Sequence, residues 1–233
     1  MAARSTRKAT QFPVLEALAL PELRDADGVV PLPHQAYDGL RFSALSLADE
    51  DGFAADAAQD LTGVTFSECE IAGLTGDDVT LRGARVTETR ISQLNVPRLR
   101  AARSVFRDVE LFESRVGALE AHDAEFTSVL MAHSKLGWAN FRSATLRRVV
   151  FRDCVFSELD FGGATLDGVV FDDCRVDALQ IDGARLKNVD LRGLTIQGSI
   201  SDAQNLRGAT ISSAQATDLT SAFAAHLGIR IAD

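Results

Sequence analysis

The sequence predicts an all-β solenoid of stacked four-sided coils, and three observations carry that reading. A bulky apolar residue returns at every fifth position, as in Phe141, Leu146, Phe151, Phe156, Phe161, Leu166 and Phe171. Two residues before each sits a smaller one, among them Ala139, Ala144, Val149, Cys154, Ala164 and Val169. Residues 20 apart then repeat in kind: Val109, Val129, Val149, Val169 and Val189 form one column, and Ala124, Ala144, Ala164 and Ala184 another.

A period of five excludes the regular alternatives. In an α-helix, residues five apart are rotated by roughly 140°, so the apolar positions would sweep round the cylinder without forming a face. In a continuous strand, an odd period would send successive bulky residues to opposite faces. A short extended segment directs i−2 and i the same way, and a turn then reorients the next pair. The recurrence at 20 makes four such segments one coil. From Leu61 to Ile211 the register reads without a slip over 31 positions, all Leu, Ile, Val, Phe or Met except Gly76, Ala101, Ala121 and Ser201.

The flanks are less regular. Residues 1–12 are basic (Arg4, Arg7, Lys8), lack the apolar stretch of a signal peptide, and read as a disordered tail. Residues 13–59 read as an N-terminal cap with one or two irregular repeats, Leu40/Phe42 and Leu45/Leu47, and Val14–Leu20 as a short helix before Pro21. Within Ala48–Gln59 the rhythm loses step, through a deletion, a loop or a distorted turn. The coils occupy 60–214, and 215–233 read as a capping helix and a short strand. Leu219, Phe223, Ala224 and Leu227 fall at helical spacing, with Asp218 as N-cap or first-turn acid and Gly228 as the stop. Ile229–Ile231 then reads as the strand.

The totals narrow the function. With 233 residues and 46% hydrophobic content the chain can fill one long core, yet no apolar run is long enough to span a bilayer. A net charge of −9 argues against direct nucleic-acid binding. Three cysteines without a secretory signal point to a reducing, cytoplasmic setting. There is no phosphate-binding loop, nucleophile elbow, zinc-protease motif or paired C-x-x-C, and the four His are scattered. The expectation is a protein that is not an enzyme and takes no cofactor.

The segments ANFRSATLRRVVFRDCVF (139–156) and LDFGGATLDGVVFDD (159–173) resemble the pentapeptide-repeat family, whose unit is written A(D/N)LXX with Leu or Phe at the centre. The departure lies at i−1, where Thr, Arg, Glu or Val often replace Asp or Asn. The resemblance implies a right-handed quadrilateral β-helix; handedness does not follow from the period. A helix followed by LGIRI also resembles the C-terminal ends of dimeric family members, which implies a homodimer through Leu219, Phe223, Leu227, Ile229 and Ile231. Acidic rods of the family imitate DNA and bind DNA gyrase, so a DNA-mimicking topoisomerase modulator is the alternative to a general protein-binding scaffold.

Surface chemistry follows from sorting residues by side. One side carries Glu70, Glu110, Glu113, Asp153, Asp172, Asp173 and Asp190 against Arg90, Arg152 and Arg192, and points Leu130, Val150 and Val170 outward with Phe112 nearby. An apolar strip edged by acids is the candidate partner surface, unless the N-terminal segment or a second subunit covers it. Trp138 projects from the next side. Glu113, His133, Asp153 and Asp173 share one edge and could hold a divalent ion if their ligating atoms converged. Charges alternate in Arg147, Asp167, Lys187 and in Arg152, Asp172, Arg192, as coil-to-coil ion pairs require. Cys69, Cys154 and Cys174 all fall on inward positions and read as small apolar filler.

Overall fold

The structure, a computed structural model, describes residues 14–47 and 60–230. The tail expected over 1–12, the irregularity within Ala48–Gln59 and the strand residue Ile231 lie outside those residues. The chain forms a right-handed quadrilateral parallel β-solenoid of about 9 turns, closed at its C-terminal end by short helices. Its four sides are named here by their inward central residues. The first is centred on Phe106, Phe126, Leu146 and Leu166; the second on Leu111, Met131, Phe151 and Phe171; the third on Val116, Leu136, Phe156 and Val176; the fourth on Ala121, Phe141, Phe161 and Ile181.

Strands such as Glu125–Ala132, Thr145–Arg152 and Thr165–Asp172 run across the first two sides, and Lys135–Asn140 and Val155–Asp160 build the third. The fourth side is made of turns. Every paired strand is parallel to the one a full coil away, so Phe126 stands under Leu146, Val129 under Val149, and Met131 under Phe151. Alternate side chains therefore stack into columns inside the rod. Three ring pairs fill its axis: Phe106–Phe126 with centroids 4.9 Å apart, Phe141–Phe161 at 5.5 Å and Phe151–Phe171 at 4.9 Å. Nearer the N-terminus, where Leu, Ile and Val dominate, the bore keeps a wholly apolar cavity of about 50 Å³ between Leu61 and Leu136. Walls of that kind give a water molecule no hydrogen-bonding partner.

Three corners of each coil turn through a residue with positive φ. One column of them runs Glu113 (49°), His133 (51°), Asp153 (49°) and Asp173 (50°). Short polar residues and Gly tolerate this left-handed backbone best, which accounts for much of the polar lettering between the apolar positions.

The inward cysteines do more than fill space. Cys154, Cys174, Ser114 and Ser134 share one corner column, and each points its Sγ or Oγ at the carbonyl two residues earlier. Ser114 Oγ donates to Phe112 O at 2.7 Å, Ser134 Oγ to Ala132 O at 2.8 Å, Cys154 Sγ to Arg152 O at 3.3 Å and Cys174 Sγ to Asp172 O at 3.4 Å. The filler reading is extended: at these four positions the small side chain adds a second donor to a carbonyl that already accepts a backbone N–H from the preceding coil, while Leu94 and Leu194 fill the same column without one. All three cysteines are free thiols.

The two ends depart from the sequence expectation. Val14–Leu20 is not helical, and residues 14–18 lie along the outside of the second side. Strands at Ala36–Asp38 and Leu40–Ser43 join the ladder, but Phe42 pairs with Ile71 at a separation of 29 because residues 48–59 intervene. Near the C-terminus the register slips after all: Val176 pairs with Ile196, then Ala178 pairs with Ser199 and Leu179 with Ile200. The bulge brings Ile200, instead of a serine, over the buried Leu179, and a 3₁₀ turn at Ala203–Leu206 precedes the return to spacing 20 at Val189 and Ala209.

The capping helix is two short ones, α1 (Ser213–Asp218) and α2 (Thr220–His226). Ser212 caps α1 in a capping box with Gln215, where Asp218 had been expected to start the helix. The Gln215 amide reaches further and donates to Leu191 O at 2.6 Å and Leu194 O at 2.8 Å, carbonyls at the end of the rod. Gly228 ends the helical segment with φ of 70°, as expected, but Ile229 and Arg230 form no strand.

Candidate functional site

The second side brings the predicted strip together. Leu130, Val150 and Val170 occupy the same outward position in successive coils, and Phe112 lies two residues beyond that column in the coil before Leu130. The strip is not open to solvent throughout. Residues 14–18 lie along it, leaving one cleft of about 570 Å³ beside Phe112 and Leu130 and another of about 500 Å³ beside Leu130, Val150 and Val170. Val150 is buried, whereas Phe112, Leu130 and Val170 are half-buried.

A charged clamp holds this strap at Leu18. Glu110 Oε1 accepts the Leu18 amide at 2.9 Å, and Arg90 Nη2 donates to the Leu18 carbonyl at 2.9 Å. The two clamp residues are themselves paired, with Arg90 Nε and Nη2 donating to Glu110 Oε2 at 3.0 and 2.9 Å. The Glu110 side chain is only 10% exposed, against 55% for Asp153 and 58% for Asp172 on the same side. Sequence reasoning listed Glu110 among the flanking acids and missed this role, because nothing in the spacing links it to residue 18.

Asp153, Asp172 and Asp173 stay at the rim. Asp172 pairs with Arg152 at 3.0 Å across one coil, as the alternating charges predict. Arg192 departs from its ladder and binds Asp190 at 2.8 Å, because Asp190 is itself buried and needs a charged donor. On the adjoining first side, Lys187 binds Asp167 at 2.8 Å. That contact, through its hydrogen bond above all, holds the Asp167 carboxyl below its ordinary range.

Along the edge of Glu113, His133, Asp153 and Asp173, His133 Nδ1 lies 2.9 Å from Asp153 Oδ2, and Glu113 receives Gln93 at 3.5 Å. Among the described residues no three His, Cys, Asp or Glu converge on one point as a metal site requires. Trp138 stands apart on the third side, 66% exposed.

At the C-terminal end, Leu219 is buried and Phe223 half-buried, so these two serve the cap. Leu227 and Ile229 remain 69% and 56% exposed. No helix among the described residues is long and apolar enough to cross a membrane.

The coil of four five-residue sides is accompanied by a match of residues 124–200 to the family model described as a pentapeptide repeat region. Residues 124–200 are a pentapeptide-repeat region. Among solved structures, the chain is similar to trypsin-treated QnrB1, a plasmid-mediated fluoroquinolone resistance protein. The two are 16% identical over 90% of this chain and 96% of the other, with a TM-score of 0.30. It is also similar to HetL from the cyanobacterium Nostoc sp. strain PCC 7120, a pentapeptide repeat protein involved in heterocyst differentiation regulation. That match is 15% identical over 81% of this chain and 94% of the other, with a TM-score of 0.24. No curated protein matches the sequence.

Proposed function

We propose that this protein is a non-catalytic binding module, a rigid rod that presents its second side to a protein partner. The observation that carries the reading is the outward column of Leu130, Val150 and Val170 with Phe112, at positions where a solvated rod needs polar groups. Glu110, Glu113, Asp153, Asp172 and Asp173 edge that strip and would orient a basic rim on the partner. Cross-linking with mass spectrometry on the immobilised full-length protein tests it. Leu130→Asp with Val170→Asp should abolish partner capture with an unchanged circular-dichroism spectrum. Capture that survives in the folded double variant rules this side out.

A second reading is a DNA-mimicking modulator of DNA gyrase. The excess of acids over bases on the second side favours it. The pairing of Asp172, Asp190 and Glu110 with arginines opposes it, since duplex DNA carries one unpaired charge per ~1.7 Å of axis. A supercoiling assay unaffected by micromolar protein would remove this reading.

For the assembly we propose a homodimer through the C-terminal end, supported by the exposed Leu227 and Ile229. Sedimentation should show two copies, and Leu227→Asp with Ile229→Asp should give one. An unchanged mass in that variant would remove the C-terminal end as the interface.

A further inference from the structure

We infer that the groove on the second side is a binding site for extended apolar peptides, and that residues 14–18 (Val-Leu-Glu-Ala-Leu) occupy it in cis. The inference deepens the reading above and rests on the same side of the rod. In a parallel solenoid the backbone N–H and C=O groups point along the axis and pair with the next coil, as Val105 N to Ala84 O and Glu125 N to Ser104 O do. The sides therefore offer no free main chain to a docking peptide, and only side chains can grip one.

Arg90 and Glu110 supply that grip. Between them they satisfy both the N–H and the C=O of a single residue, Leu18, which is how a neighbouring strand would read an extended backbone. The clamp reads main chain, so it sets no preference for the side chain at that position. Selectivity comes from the strip beside it, where the half-buried Leu15 shares a cleft with Leu130, Val150 and Val170 and Val14 stands at its edge. The occupant does not fill the site. Val14 is 92% exposed, and the two clefts remain on either side of the strap. A peptide with larger apolar side chains at the strip and a free amide at the clamp would bury more surface than the strap does, and would displace it. Residues 14–18 then act as a built-in competitor that weak ligands cannot remove.

The test uses the full-length chain with Leu15→Asp and Leu18→Pro, which remove the strap's apolar contact and its amide donor and leave the groove intact. A fluorescent peptide of residues 13–20 should bind this variant, with wild type at least tenfold weaker because its own strap competes. The same peptide N-methylated at Leu18 should lose most of its affinity for the variant. Failure of the unmodified peptide to bind a variant that melts cooperatively overturns the inference, and so does equal binding of the N-methylated one.

Should the variant not fold, a protease site placed after Pro21 in otherwise wild-type protein gives the second measurement. The cut N-terminal segment should co-elute with the rod and be displaced by excess free peptide; its loss at once on cutting overturns the inference. Peptide binding together with partner capture unaffected by Leu130→Asp and Val170→Asp would leave the groove standing and sink only the earlier reading.

Discussion

Glu110 accepts the Leu18 amide at 2.9 Å across 92 residues of chain, and so fastens the N-terminal strap to the middle of the rod. Glu110→Ala should remove that acceptor, leave Arg90 without its carboxylate partner, and cost about 1–3 kcal/mol. Urea unfolding measures the loss, and hydrogen exchange should show the Leu18 amide unprotected. Retained protection would mean that the strap is held by apolar contacts alone.

The aromatic stack gives a larger effect. Phe171 is 2% exposed and lies at 4.9 Å from Phe151 with ring planes 12° apart. Phe171→Ala should cost roughly 3–5 kcal/mol through the cavity it leaves. A change under about 1 kcal/mol in the same unfolding experiment would mean that neighbouring rings close the gap.

The corner column predicts an unusual tolerance. Since Ser114 and Ser134 make the same bond as Cys154, Cys154→Ser should keep the corner and change stability by less than about 1 kcal/mol. Cys154→Val keeps the apolar volume but leaves the Arg152 carbonyl without this donor, and should be the worse of the two. The Cys154 thiol is pushed up by the adjacent Cys174 thiol and by burial, so it should resist alkylation until the rod unfolds. Rapid labelling of native protein would contradict the placement.

The Asp167–Lys187 pair sets a pH effect of definite sign. With its folded pKa depressed, Asp167 contributes stability above the unfolded carboxylate range, and loses it as pH falls through the folded value. The Lys187 side chain is 72% exposed, so the contribution is only tenths of a kcal/mol. Titration followed by NMR is the sharper measurement. Lys187→Met should move the Asp167 midpoint up towards the ordinary carboxylate range, and an unmoved midpoint would mean that the contact is not kept in solution.

Much of this architecture could be read before any coordinates. Phe141, Phe151 and Phe171 were legible as core because the inward alternation of i−2 and i is a local property of an extended segment. The candidate strip was legible for the same reason, since Leu130, Val150 and Val170 share one phase of a 20-residue period. The bulge at Ser199 left only a partial signal, a serine at the central position 201 and another two before it, and a five-residue count does not say where the chain shifts. There the structure sets Ile200 and not a serine over Leu179, so burial decides the register. The cap on α1 was misread for a related reason: Ser212 and Gln215 compete with Asp218 as signals, and the carbonyls of Leu191 and Leu194 at the end of the rod select Gln215.

By itself, then, the sequence determined the four-sided coil, its register over most of its length and the columns of side chains inside and out. Those features repeat, and each coil is the template for the one stacked on it. Only the tertiary structure decided where the aperiodic parts go: the strap onto Arg90 and Glu110, Arg192 onto Asp190, the thiols onto corner carbonyls. Such contacts join groups whose distance depends on the whole path of the backbone, and among many sterically open pairings the buried, unpaired group takes the partner that reaches it.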